Sequence, residues 1–177
     1  MAFRNRLPKL SQITSVYAVI VLMVYGWTIV WFFWKLPSWL YFMTMGEIGG
    51  IFAYSMAMNF LESLTVVLAP VLLCLLLPSN WFFDNFIARG VSLAMLWLGY
   101  SMLFTTQMQD AEGYPKNLLV MSVLAVLLAI PLASVVGKIS IVRKFLEAFS
   151  DRAIVFLYLS IPISAISLLF FIFRNLF

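Results

Sequence analysis

Glu47 and Glu62 are the residues whose type and position most invite chemistry, because both fall in a long apolar stretch, Ser38–Leu77. An ionisable side chain inside a membrane span costs roughly 2.5–3.5 kcal/mol, so it is expected to have a partner or a function. Asn59, Glu62 and Ser63 fall on one helical face. Ser101, Thr105, Thr106 and Gln109 lie near the same level in a later apolar run. With Glu47 they predict a polar pocket opening outward, suited to a cation, a proton or a lipid headgroup. Lys35, Lys116 or a neighbouring subunit would supply the counter-charge. The plainer reading leaves Glu47 in water above the membrane and lets Glu62 hydrogen-bond inside a helix bundle.

Other chemistries have weaker foundations. The chain has no histidine, which removes histidine-ligated haem, zinc and copper, and histidine general bases. Its single cysteine, Cys74, lies in an apolar run and cannot form an intrachain disulfide. The pairs Met43/Met45 and Met56/Met58 carry soft thioethers of the kind copper(I) accepts. Residues i and i+2 of a helix do not face one another, however, and methionine commonly fills gaps in apolar cores. Walker, HExxH, GxSxG and CxxC patterns are absent. The expectation is therefore no metal, no cofactor and no catalytic residue, with the balance leaning away from an enzyme.

The elements that must position these residues are membrane helices. The chain is 64% hydrophobic and 10% charged, with a mean hydropathy of +1.06, whereas soluble domains carry about 25% charged residues. The reading is an all-α integral membrane protein, a single membrane domain over 1–177. Its five-span helical bundle has spans near 13–35, 59–77, 87–106, 117–136 and 153–173. The net charge of +4 arises largely from Arg4, Arg6 and Lys9 and from Lys138, Arg143, Lys144 and Arg152. Both clusters face the cytoplasm only in an N-in/C-out arrangement. The clusters suit an anionic lipid leaflet, and no nucleic-acid partner is expected. Lys138, Arg143, Lys144 and Arg152 are the predicted lipid-headgroup contacts.

Two segments depart from plain spans. Pro37 is expected to end the first helix, and Ser38 to cap the next. Residues 38–57 then form an outer interfacial or re-entrant piece, weakened by Gly46, Gly49 and Gly50. Residues 138–150 read as a cytoplasmic amphipathic helix, with Ile139, Val142, Leu146 and Phe149 on one face. Ser150-Asp151 would cap the last span. Gly46, Gly49, Gly50, Ala53 and Ala57 make a small-residue strip that lets another helix approach closely. Pro70, Pro131 and Pro162 fall inside spans, where proline often only packs.

This architecture predicts a non-enzymatic accessory or structural subunit of a larger envelope membrane complex in a prokaryotic plasma membrane. Its partners would be the lipid bilayer and another membrane protein or a second copy. One alternative is a small transporter or channel using Glu47 and Glu62. Another is the detached membrane part of a lipid- or envelope-polymer-modifying enzyme.

Overall fold

The computed structural model describes residues 7–78, 82–109 and 118–176. Among them are five α-helices and no strand: α1 Leu10–Trp39, α2 Met45–Leu76, α3 Phe86–Gln109, α4 Leu118–Val136 and α5 Ser140–Leu176. The helices α1, α2, α3 and α5 are long and apolar enough to cross a membrane, and α4 is a shorter apolar helix. The chain is an integral membrane protein.

Local chemistry sets the helix ends. Gln12 accepts the Lys9 N–H at 3.0 Å, satisfying one of the free donors at the start of α1. Contrary to the expected stop at Pro37, α1 runs on to Trp39. Proline removes only one backbone donor, and this close to the helix end the turn closes through Leu40 N to Leu36 O and Met43 N to Trp39 O. The cap of α2 is Thr44 rather than Ser38. Thr44 Oγ1 accepts the Glu47 N–H at 3.3 Å, while Glu47 Oε2 accepts the Thr44 N–H at 2.7 Å, a reciprocal capping box. From there α2 is unbroken for 32 residues, about 48 Å at 1.5 Å per residue. The interfacial or re-entrant piece expected over 38–57 is therefore divided. Its first residues end α1 and form a turn, and the rest is the opening of α2. Its glycines are not enough to break a helix that is capped at its start and packed along its length.

Side-chain pairs fix the directions. Tyr17 meets Ser63 and Tyr25 reaches Met56, so α1 and α2 are antiparallel. Tyr54 packs edge-on against Phe171, and Tyr25 bonds Ser164, so α5 runs parallel to α1. A Cβ placed on Gly90 would touch Val16 and Pro70, which seats the start of α3 at the beginning of α1 and late in α2. Helix α1 is central and packs against α2, α3 and α5, whereas α4 packs chiefly against α3. Val16, Val19 and Ile20 of α1 are fully enclosed, with Met56, Phe86 and Val91 beside them.

Helix α5 explains why the expected amphipathic helix and last span are one element. Its buried residues are Leu146, Ser150, Ala153, Leu157, Ser160, Ser164 and Ser167. They alternate at four- and three-residue steps, the spacing that keeps one seam facing a neighbouring helix. The seam passes through Ser150 without interruption, so Ser150-Asp151 caps nothing and residues from Ser140 onward begin α5. Four of the seven seam residues are serines, small enough for close backbone approach.

Candidate functional site

Glu62 sits midway along α2, roughly 25 Å from its first residue at 1.5 Å per residue. It lies well inside the helix. It lines a small pocket of about 100 Å³ between α1, α2 and α3, with Trp27, Thr28, Ser101, Met102 and Thr105. Among the described residues no basic side chain pairs with its carboxylate.

The hydroxyls around this pocket are spoken for as donors. Thr28 Oγ1 donates to Asn59 Oδ1 at 3.0 Å, Ser101 Oγ to the Trp97 carbonyl at 3.0 Å, and Thr105 Oγ1 to the Ser101 carbonyl at 2.7 Å. A hydroxyl has one proton and two lone pairs. With each proton already committed, these three groups can offer a ligand only acceptor oxygens, and Glu62 adds a carboxylate. Apart from the Trp27 indole N–H, the polar groups of the lining are thus acceptors, and Glu62 is its one titratable group among the described residues. It is built to receive a proton donor or a positive charge.

The structure sorts the expected site residues into separate places. Glu62 and Thr105 line the same pocket. Asn59 is buried and joined to that pocket through Thr28, and its Nδ2 makes no hydrogen bond. Ser63 is fully enclosed and turned towards α1. Its hydroxyl donates to the Phe60 carbonyl at 2.9 Å, leaving its oxygen to accept from Tyr17 at 3.2 Å. Gln109 closes α3. Lys35 is exposed, and Lys116, Asp110 and Glu112 lie outside the described residues.

Glu47 is not part of the pocket. About 22 Å of helix separates it from Glu62, and its carboxylate serves the α2 cap. Beside it, Thr44, Gly46, Phe173 and Arg174 border an open depression. Arg174 also lies 5.6 Å from the centre of the Tyr54 ring, within cation–π range. A Cβ on Gly50 would meet the Arg174 guanidinium, so the end of that side chain lies over this glycine. Gly46 and Gly49 face open space, Ala57 is buried and Ala53 half-buried. The strip is therefore partly used inside the chain and partly left outside. The methionine pairs do not converge: Met56 is enclosed and Met58 exposed. No group of three or more His, Cys, Asp or Glu side chains gathers among the described residues.

At the opposite end, Arg89 is buried against Gly137, where a Cβ would lie 2.6 Å from its Cγ and Nε. Asn85, with a left-handed φ of 62°, donates from Nδ2 to the Gly137 carbonyl at 3.4 Å and accepts from Arg143 Nη1 at 3.3 Å. Arg143 also stands 4.0 Å from Glu147. Of the four expected headgroup contacts, Arg143 is thus engaged in tying α3, α4 and α5 together. Lys138, Lys144 and Arg152 are exposed.

The residues missed from sequence are Tyr17, Tyr25 and Thr28, the polar groups α1 offers to α2 and α5. Their spacing, 17–25–28, recurs on one helical face and was a usable signal. No family model, curated protein or solved structure matches the chain, so its function is read from this geometry.

Proposed function

We propose that this chain is a non-enzymatic membrane protein that binds a positively charged group at Glu62. The observation that supports the reading is a carboxylate that meets no basic side chain among the described residues and shares its pocket with three hydroxyls whose protons are already used. In this reading five helices span the membrane. Lys9, Arg89, Lys138, Arg143 and Lys144 mark the cytoplasmic end, and the end bearing Glu47 and Arg174 lies outside.

Carbodiimide labelling tests it. A hydrophobic carbodiimide modifies carboxyl groups within membranes, and peptide mapping locates the adduct. With the protein in bilayer discs of neutral lipid, Glu62 is expected to label, and methylammonium chloride to slow that labelling several-fold. Equal labelling with and without methylammonium, sodium or potassium overturns the proposal.

A second reading, compatible with the first, is membership of a larger complex in a plasma membrane. Its support is the face of α2 at Gly46 and Gly49, where added Cβ atoms would meet nothing within 4 Å. Gentle extraction from native membrane should then recover a partner or a second copy, and a lone monomer rejects this reading.

A further inference from the structure

We infer that the ligand of the Glu62 pocket is a protonated lipophilic amine, with its ammonium at Glu62 and its apolar body in the groove between α2 and α4. The inference rests on the cation-binding reading above and adds the chemical class of the ligand. Because α4 packs chiefly on α3, it stands away from α2 and leaves a groove with α3 as its floor. Val66, Ala69 and Leu73 form one wall, Trp97 the floor, and Val126 and Ile130 the other wall. Its volume is about 540 Å³, within the range of roughly 300–1,000 Å³ typical of small-molecule sites.

Pocket and groove are lined by neighbouring residues of α2 and α3. On α2, Glu62 stands one turn before Thr65 and Val66, which line the groove. On α3, Ser101 of the pocket donates its proton to the carbonyl of Trp97, a groove residue. A polar receptacle thus follows an apolar one along the same two helices, the outline of an amphiphile with a small head.

The chemistry narrows the head. Three hydroxyl oxygens and a carboxylate, all acceptors, match the N–H donors of an ammonium. A zwitterionic phospholipid head would bring a phosphate, and no lysine or arginine lines either cavity to receive it. Depth points the same way. Glu62 lies about 25 Å of helix from the start of α2, so the charge that reaches it must enter hydrocarbon, which an apolar body makes possible. Trp27 at the rim adds an aromatic face to the cation's surroundings.

The test uses the full chain in neutral-lipid discs, with dodecylamine, dodecanol, dodecyl sulfate and methylammonium as probes. Native mass spectrometry should find one dodecylamine retained, with retention about tenfold or more weaker in Glu62→Gln, as expected for losing a charge-assisted bond. Dodecylamine should also protect Glu62 from carbodiimide at lower concentration than methylammonium. Filling the groove by Ala69→Trp or Ile130→Trp should remove that advantage while methylammonium still protects, which also reports an intact pocket. Equal retention by wild type and Glu62→Gln, or equal protection by dodecanol or dodecyl sulfate, overturns the inference. So does an advantage that survives groove filling, which would be membrane partition alone. If dodecylamine fails but methylammonium protects, the amphiphile is rejected and the cation site stands; if neither protects, both fall.

Discussion

Gly90 is the position where a single methyl group tests the packing of three helices. A Cβ there would lie 2.9 and 3.2 Å from the two Cγ atoms of Val16 and 3.6 Å from Pro70 Cβ. Val16 is fully buried and, being β-branched on a helix, is held to essentially one χ1 rotamer. It cannot turn away, and the opposing proline is rigid. The added methyl must therefore push α3 from α1 and α2, an overpacking cost of about 1–3 kcal/mol. Replacing glycine by alanine inside a helix returns about 1 kcal/mol, so Gly90→Ala should destabilise the bundle by about 0–2 kcal/mol. Gly99, on the same helix, has nothing within 4 Å of its added Cβ, and Gly99→Ala should be neutral or stabilising by up to about 1 kcal/mol. Reversible unfolding in mixed micelles titrated with dodecyl sulfate, followed by tryptophan fluorescence, compares the two directly. Gly90→Val should be worse than Gly90→Ala. If Gly90→Ala is more stable than Gly99→Ala, or Gly90→Val is no worse than wild type, the three-helix contact at Gly90 is refuted.

Two further substitutions probe the polar ties. Tyr25→Phe removes the hydroxyl shared with Ser164 on α5 and should cost about 0.6 kcal/mol, at most about 1.7, as for other bonds between membrane helices, measured by the same titration; stabilisation would contradict the tie. Thr44→Ala removes the α2 cap and should cost about 0.5–2 kcal/mol, with faster amide exchange confined to the first turn of α2. Exchange unchanged there would show that the capping box is not holding the helix end.

Sequence reasoning reached the helices because long apolar runs leave the chain few alternatives in lipid. It placed Asn59, Glu62 and Ser63 together because helical periodicity is local information. It grouped Glu47 with them by treating 38–57 as a separate piece that could fold back, whereas one rigid α2 holds the two acids apart. The signal for that was present: Thr44-Met45-Gly46-Glu47 is a threonine followed three residues later by a glutamate, the pattern of a capping box. The four–three alternation from Leu146 to Ser167 was also readable and would have joined the amphipathic piece to the last span. Meetings such as Tyr25 with Ser164, or Ser101 with Glu62 in one pocket, were not. Which helix lies opposite which depends on packing over the whole bundle, and no local pattern encodes it.

The bond between Tyr25 and Ser164 also has a dimension in time. The two residues are 139 positions apart in the chain, and ribosomes add about 5–20 residues per second. For roughly 7–28 s after Tyr25 is added, its hydroxyl awaits a helix not yet synthesised. Through that interval α2, α3 and α4 are made in turn, and α1 can pack against α2 and α3 before α5 exists. The serine seam of α5 is thus the last face to close on α1.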